Sequence, residues 1–448
     1  MKNLAKFLIF ISAFVQVANA TTYYVSTNGS DSNPGTSGSP FLTLGKAETV
    51  VVAGDVVTVA AGTYTLAGLT MSHSGSGGNP ITFQSSGNVT LNLTTDGLLV
   101  TGAWRVITGF SFTGAFTRAI WLQTGNNIVQ NVTVTQARTV GYGIQVGRDA
   151  NTGGEAADNN TLNNVRVIGT GTGGTIHGII FGGGGSGNVL KKSYVSNTYY
   201  GIVDKAEVSS LIYNNVFNLT AANLYTCIYD KGSTGSSYYN NICRPSGGGF
   251  CMILADGDGA TPHATSAVIK NNIFIKSSDP AIFINDATES YTIDYNCFQY
   301  TSGTIVYNHG SNINSLASWQ SASGQDAHSI ASTPTFTNAS GTLSTITDYK
   351  PTSGSPVIDA GIAISGRATD AADNSINGAA DIGPYEFGGS PGVANKPPAA
   401  NAGPDQSFFF QLIQQHSLGL GLMRMGLSAA ISGQKSRALP NTTLPRPR

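Results

Sequence analysis

A short phrase in which apolar residues flank asparagine returns through the middle of the chain, and its spacing limits the folds available. The phrase reads IVQNVTV, TLNNVRV, IYNNVF, YYNNIC, IKNNIF and IDYNCF, with serine replacing asparagine in VLKKSYV. Its central residues, which are 33, 29, 22, 26, 31 and 24 positions apart, are Asn131, Asn164, Ser193, Asn215, Asn241, Asn272 and Asn296. A repeat this short, without a helical period, indicates a solenoid in which each unit forms one coil.

Composition supports strands rather than helices. Charged residues make up 10% of the chain, against about 25% in an average soluble domain. Each repeat contains about three strand-sized pieces separated by Gly, Ser, Asn or Thr. The pattern predicts an all-β fold, a single-stranded right-handed parallel β-helix, and the unit is too short for the alternative, an array of β-sandwiches. Stacked asparagine amides could hydrogen-bond along the axis of such a helix.

The first twenty residues are typical of a secretory signal. Lys2 and Lys6 precede the apolar run FLIFISAFV, and ANA forms a small-residue cleavage site. The alternative is a membrane anchor, for which the apolar run is too short. We therefore predict cleavage after Ala20, a secreted or cell-surface protein, and no transmembrane segment.

Two segments resemble a known group of proteins. YYVSTNGSDSNPGTSGSPFLTLGKA with GDVVTVAAGTYT resembles the N-terminal cap and first coil of secreted bacterial β-helix proteins of the pectate-lyase-like superfamily. GSPVIDAG with ADIGPYEF resembles the C-terminal closing segment of the same proteins. The resemblance covers roughly residues 21 to 388. It implies a capped and closed β-helix, but it does not assign a reaction, because the superfamily contains lyases, hydrolases, epimerases and proteins without known activity.

The chain changes character after the predicted β-helix. NKPPAANAGPDQS resembles a linker running into the start of a PKD-type domain, and the residues after Ser407 contain no Asp or Glu. We interpret this tail as a frameshifted reading of such a domain, the alternative being a disordered basic tail. The predicted organisation is a signal peptide at 1–20, the β-helix at 21–390, the linker and PKD-type start at 391–407, and the tail at 408–448.

The strands that follow the asparagine phrases end in recurring charges. GIVDK and CIYDK align with MILAD and IFIND, which brings Lys205 and Lys231 into one column. A second column would hold carboxylates one coil apart, which a cation could join because calcium takes six to eight oxygen ligands. The candidate metal ligands are Asp204, Asp230, Asp256, Asp258 and Asp286.

Strand alternation gives a second interpretation of the same residues. If Ile202 and Ile228 point inward, the aspartates two positions later also point inward and the lysines point outward. The Asp-Lys pairs would then mark strand ends with mutually paired charges. Gly232 and Ser233 predict a bend directly after Lys231.

The superfamily resemblance implies one chemistry for such a site. In its calcium-dependent lyases, the metal binds a uronate and a Lys or Arg removes the neighbouring proton, after which β-elimination breaks the glycosidic bond. Lys231 and Lys205 are therefore the candidate bases. Arg148, His263 and Tyr229 are candidate substrate-binding residues.

Cys227 and Cys251 occupy equivalent points of neighbouring coils, which favours a disulfide or a buried thiol stack over catalysis.

These features predict an exported calcium-dependent polysaccharide lyase that cleaves an acidic glycan. The alternative is a non-catalytic cell-surface, adhesion or polysaccharide-binding rod. A hydrolase ranks third, because only Asp256 and Asp258 suggest a carboxylate pair.

Residues 21–407 carry 16 Lys and Arg against 24 Asp and Glu, a net charge of −8 with histidine neutral, so a polyuronate would need bridging cations. We expect a monomer, and no nucleic-acid partner because no basic patch precedes the tail.

Overall fold

The computed structural model describes most of the predicted β-helix. The described residues are 20–136, 140–147, 156–169, 175–219, 226–245, 247–255, 266–285, 290–338 and 345–390. The predicted signal peptide, except for Ala20, and the predicted linker and tail lie outside these residues. No described helix is long and apolar enough to cross a membrane.

Short strands dominate the described residues. In chain order they are β1 Thr22–Val25, β2 Val56–Leu66, β3 Leu69–Met71, β4 Ile81–Leu93, β5 Leu98–Val100, β6 Arg105–Gly114, β7 Arg118–Leu122, β8 Ile128–Thr135, β9 Gly141–Val146, β10 Thr161–Ile168, β11 Ile176–Phe181, β12 Val189–Lys191, β13 Tyr194–Ser196, β14 Tyr200–Lys205, β15 Leu211–Tyr213, β16 Val216–Leu219, β17 Thr226–Lys231, β18 Thr234–Tyr239, β19 Ile242–Pro245, β20 Phe250–Ala255, β21 Ser266–Lys270, β22 Ile273–Ile275, β23 Ile282–Ile284, β24 Tyr291–Asp294, β25 Cys297–Gln299, β26 Val306–Asn308, β27 Ser311–Ile313 and β28 Ile330–Ala331. The helices are α1 Leu44–Glu48, α2 Leu316–Ser323 and a 3-10 helix at Ile346–Tyr349.

The strands form two long parallel sheets. Within each sheet, neighbouring strands belong to successive coils. In the first sheet, β3, β5, β7, β9, β11, β14, β17, β20, β23 and β26 follow one another in chain order. The remaining strands, except β27, form the second sheet, which bends within each coil at the asparagine phrase. Crossovers between parallel strands are right-handed, so the chain is a right-handed parallel β-helix, as predicted.

The interior of the coil is filled by stacked columns of apolar side chains. One column of the first sheet contains residues that are fully buried and in register from coil to coil: Ile120, Ile144, Ile179, Ile202, Ile228, Met252, Ile282 and Val306. Because side chains alternate along a strand, the residues on either side of this column face outward or lie at a corner. Burial of these columns from water supplies the main stabilising free energy of the solenoid.

The predicted asparagine ladder is present and buried. In each coil, a backbone N–H donates to the side-chain oxygen of the equivalent residue one coil further, over 2.7–3.1 Å. The ladder runs through Ser193, Asn215, Asn241, Asn272, Asn296 and Ser329. Each amide donates its own protons to neighbouring oxygens, so that the stack satisfies its donors inside the protein. The interpretation of this column as structural agrees with these contacts.

Two residues assigned to the ladder occupy the neighbouring column instead. Asn131 and Asn164 are exposed and have φ of +54° and +51°. They align with Gly109, Asn214 and Asn240, which also have positive φ, whereas Val165 takes the ladder position beside Ser193. Asparagine tolerates left-handed backbone because its short polar side chain can hydrogen-bond locally. The two upstream phrases therefore use their asparagine for the bend and not for the buried stack.

Both ends of the solenoid are covered. At the N-terminal end, the carboxylate of Glu48 in α1 accepts hydrogen bonds from the backbone N–H groups of Ser72 and His73 and pairs with the buried Arg105 guanidinium at 2.6 Å. Toward the other end, α2 buries Trp319 in the core. The predicted closing segment packs on the side of the second sheet, where Gly383 N–H donates to Asn271 O over 2.8 Å.

Candidate functional site

Aromatic side chains form a row along the outer face of the first sheet. Tyr142, His177 and Tyr200 occupy one register column of β9, β11 and β14. Their ring centroids are 5.0 and 4.9 Å apart, with edge-to-face geometry, and Tyr229 follows at 5.6 Å from Tyr200. The four rings are partly exposed. A row of this kind offers apolar faces with polar edges, a combination that is common in ligand sites.

Two lysines lie beside this row. Lys205 and Lys231 are register partners in β14 and β17, which places their Cα atoms about 4.8 Å apart. With Tyr142, His177, Tyr200 and Tyr229 they line a cavity of about 370 Å³ on the outer face. We call this cavity the cationic groove. Lys205 is 4% exposed, whereas Lys231 is partly exposed.

The adjacent aspartates point to the opposite side of the sheet. Asp204 and Asp230 are both 0% exposed and lie inside the coil. The hydroxyl of Tyr238, on the second sheet, lies 2.8 Å from Oδ2 of each aspartate. Gly232, with φ +76°, makes the predicted bend after Lys231, and Ser233 N–H then donates to Asp230 Oδ1 over 3.0 Å. The strand therefore separates an inner acidic pair from an outer basic pair.

The inner pair retains protons more strongly than ordinary carboxyl groups. Burial raises the pKa of Asp204, and burial together with the charge of Asp204 raises the pKa of Asp230. A phenol has one proton to donate, so Tyr238 can satisfy one carboxylate while the other carboxyl group donates to Tyr238. The geometry suits a pair that carries one shared proton, because two carboxylates at this separation repel each other.

Glu207 adds a third buried acid near the corner of the coil. It accepts hydrogen bonds from Gly185 N–H over 3.0 Å and from Asn188 Nδ2 over 2.7 Å. Asn188 ends a second, shorter amide ladder that also contains Asn127 and Asn160. Burial, and secondarily the charge of Asp204, raises the pKa of Glu207 to about 8.

Asp204 and Asp230 are not arranged to bind a calcium ion. All four oxygens of Asp204 and Asp230 already take part in hydrogen bonds with Tyr238, Ser210 or Ser233, and one of the two acids acts as the donor to Tyr238. Calcium needs six to eight oxygen ligands, and the described residues contain no group of three or more His, Cys, Asp or Glu side chains suited to a metal. The prediction that Asp204 and Asp230 belong to a calcium-binding column is therefore corrected, because strand alternation turns both inward.

The strand register also divides the predicted aspartate column. Asp204 and Asp230 align with each other, but the next two coils place Leu254 and Ile284 at that position. The other predicted metal ligands, Asp256, Asp258 and Asp286, lie outside the described residues, as do the predicted substrate-binding residues Arg148 and His263. Of the predicted substrate-binding residues, Tyr229 is described, and it lines the cationic groove.

Most of the outer row was not predicted from the sequence. Tyr142, His177 and Tyr200 were not assigned to the site. Arg118 and Trp121, in the coil before Tyr142, were not assigned to it either. A signal was available, since an aromatic or cationic residue stands two positions before each inward-facing isoleucine in RAI, YGI, HGI and YGI. The intervals between these segments vary, so their alignment becomes evident only from the register.

The four cysteines are buried free thiols. Cys227 and Cys251 occupy equivalent positions of β17 and β20, directly before the register partners Ile228 and Met252. Burial raises the pKa of both thiols. This arrangement is the buried thiol stack that was one of the two alternatives for these residues.

Comparisons with known proteins agree with the fold. The family profile described as "Pel9A-like, right handed beta helix region" matches residues 23–194. The crystal structure of pectate lyase Pel9A superposes with a TM-score of 0.55 at 17% identity, covering 83% of this chain and 97% of that chain. The crystal structure of alginate lyase from Paenibacillus sp. str. FPU-7 gives a TM-score of 0.46 at 17% identity, covering 65% of this chain and 96% of that chain. The profile match and the Pel9A superposition agree with a right-handed parallel β-helix as the fold of this protein.

A curated relative matches over a short segment. The uncharacterized protein YwoF of Bacillus subtilis (strain 168) is 48% identical over 65 residues, which are 14% of this chain and 14% of that protein. The chain therefore spans about one seventh of the length of this relative.

Proposed function

We propose that this protein is an exported polysaccharide lyase that binds an acidic glycan in the cationic groove and cleaves it by β-elimination. The observation that carries the proposal is the position of Lys205 and Lys231 on the outer face, in one cavity with an aromatic row. Aromatic faces suit the apolar faces of sugar rings, and ammonium groups suit uronate carboxylates. The pectate and alginate lyases that share the fold are consistent with this substrate class.

The burial of the two lysines divides their roles. Lys231 is partly exposed and can reach a bound glycan, so we assign it as the base. Lys205 is 4% exposed, and its fixed positive charge would attract the uronate carboxylate and stabilise the negative charge that develops there during the reaction. Tyr229, in the strand that carries Lys231, would contact the sugar ring.

The reaction balances without a redox partner. The lone pair of Lys231 Nζ takes the proton from the carbon next to the uronate carboxylate, and the released electron pair forms a carbon–carbon double bond. The glycosidic carbon–oxygen bond breaks with its electrons on oxygen, and that oxygen takes a proton from water. The hydroxide that remains takes the proton from Lys231 and restores the base. The products are a new reducing end and an unsaturated uronate end.

The assay for this proposal uses the full chain and a panel of polyuronates. We expect ultraviolet absorbance from new unsaturated ends with the wild type, and a loss of about 100-fold or more in Lys231→Ala, as is usual when a general base is removed. Lys191→Ala, on the second sheet, is the matched control and should retain activity. A chelator arm tests the calcium requirement separately, since no step above passes through a metal.

One result would overturn the lyase assignment, and another would overturn the choice of base. Binding of a polyuronate without new unsaturated ends would leave a non-catalytic polysaccharide-binding rod. Full activity in Lys231→Ala would exclude that residue as the base, and loss in Lys205→Ala alone would then move the role to Lys205.

A further inference from the structure

A second hollow lies on the same outer face, toward the N-terminal end of the solenoid. It has a volume of about 320 Å³ and is formed by outward-facing residues of β3, β5 and β7, together with Asp96. Its lining includes Thr70, Leu99, Arg118 and Trp121. The Arg118 guanidinium lies 5.5 Å from the ring centroid of Tyr142, so the hollow adjoins the cationic groove.

Trp121 is held rigidly in this hollow. Its indole Nε1–H donates to Gly147 O over 2.8 Å, and the Arg118 guanidinium covers the ring at 4.3 Å from the centroid. The ring is nevertheless partly exposed. A fixed and partly exposed indole can contact a ligand without losing conformational entropy on binding.

The charges in the hollow are already paired. Arg118 donates through Nε to Gln145 Oε1 over 2.6 Å and forms an ion pair with Asp96 over 3.2 Å. Asp96 also accepts hydrogen bonds from the backbone N–H groups of Thr117 and Arg118. Its side chain is 47% exposed, so a carboxylate that entered the hollow would meet an exposed negative charge beside a guanidinium that is already paired with it.

The two sites differ in charge while sharing one axis. Trp121 aligns with Gln145, Ile180, Val203 and Tyr229 through four strand spacings, or about 19 Å. A glycan that runs along the face can therefore occupy both sites, with a uronate beside the lysines and a different residue beside Trp121.

We infer that the Trp121 hollow is a subsite for an uncharged sugar residue, so that the substrate is a glycan with both acidic and uncharged units. This inference rests on the proposed function, because it places a substrate already bound in the cationic groove. It narrows the substrate class from polyuronates in general to chains in which some uronates are esterified or replaced by neutral sugars.

The experiment compares two probes of equal length with the full chain: polygalacturonate and its partly methyl-esterified form. We expect the wild type to bind the partly esterified chain more tightly, and Trp121→Ala to lose about tenfold in affinity for that chain. Binding should quench tryptophan fluorescence in the wild type and not in Trp121→Ala. Trp104→Ala, at a 38% exposed tryptophan that does not line either cavity, is the matched control.

A charge variant tests the selectivity without removing the indole. Asp96→Asn removes the negative charge and should raise the affinity for polygalacturonate relative to the esterified chain. Equal affinities of the wild type and Trp121→Ala for both probes, with Lys231→Ala still inactive, would overturn the subsite and leave the proposed function intact. Absence of binding to any polyuronate would overturn both.

Discussion

The molecule contains two kinds of buried polar stack, and their side chains obtain hydrogen-bond partners in different ways. Asn215, Asn241 and Asn272 follow one another in one column, and Asp204 and Asp230 in another, all 0% exposed. The amides hydrogen-bond directly from coil to coil, whereas the acids meet through the hydroxyl of Tyr238 on the opposite sheet.

The difference follows from donors and acceptors. An amide carries both, so any number of asparagines can stack with each one donating to the next. An ionised carboxylate only accepts, so two of them need an external donor and a shared proton. The ladder can therefore extend over many coils, whereas the register ends the acidic pair after two coils with Leu254.

The largest effect on stability is expected when an asparagine of the ladder is replaced by an acid. Asn241 accepts from Asn215 and donates to Ile212 O and Asn272 Oδ1. Asn241→Asp would remove these donors and bury a charge, at a cost of roughly 3–5 kcal/mol in the free energy of unfolding at neutral pH. Part of the loss should return in acid, where the new carboxyl group is protonated. Urea unfolding at several pH values measures both effects.

The control for that variant is Asn28→Asp, at an exposed asparagine. It should change the free energy of unfolding by less than about 0.5 kcal/mol. Equal effects at Asn28 and Asn241 would contradict the role given to the ladder.

A smaller effect on stability, of opposite sign, is expected when one aspartate of the acidic pair is replaced by asparagine. In Asp204→Asn, the new Nδ2 can donate to Tyr238, whose proton then serves Asp230. Because burial raises the pKa of Asp204, the folded state binds a proton that the unfolded state releases. Stability therefore falls as pH rises from the ordinary aspartate pKa to the raised one. At pH values above this range, replacing the Asp204 carboxyl group should raise the free energy of unfolding by about 1–2 kcal/mol.

The measurement is urea unfolding of the wild type and Asp204→Asn between about pH 4 and about pH 9, where the two curves should separate as pH rises. Parallel curves across this range would show that the pair does not hold the extra proton. Tyr238→Phe provides the complementary variant, since it removes the shared donor and should lower stability most where both acids are ionised.

The smallest effect is expected at the exposed bend. Asn164 Nδ2 donates to Asn131 Oδ1 over 2.8 Å in the same kind of coil-to-coil contact as the ladder, but in water. Asn164→Gly keeps the left-handed backbone and removes only this bond, so we expect a change below about 0.5 kcal/mol in thermal or urea unfolding. A loss as large as that at a buried asparagine would show that burial is not what distinguishes the two columns.

The asparagine phrases predicted much of the fold because they carry their own physical cause. The ladder from Ser193 to Asn296 is where the repeat placed it. Asn131 and Asn164 were assigned one position away, since an asparagine serves equally well in a buried amide stack and at a left-handed bend. Only the observed backbone conformation separates these two uses.

The candidate site was less predictable. Alternation along GIVDK and CIYDK allowed the aspartates to lie inside and the lysines outside, and the structure shows that arrangement. The hydroxyl that joins the two acids comes from Tyr238 on the other sheet. No spacing along the chain relates Tyr238 to Asp204, because their proximity depends on how the coil closes.

The sequence by itself determined the unit of the solenoid, the identity of its buried amides and the alternation that separates acids from bases, since these follow from periods within one coil. Tertiary structure decided which coils align. Insertions make the repeat vary from 22 to 33 residues, so register is set by the packing of the interior columns and not by counting. That packing assembles the aromatic row from Tyr142 to Tyr229 and brings Lys205 beside Lys231.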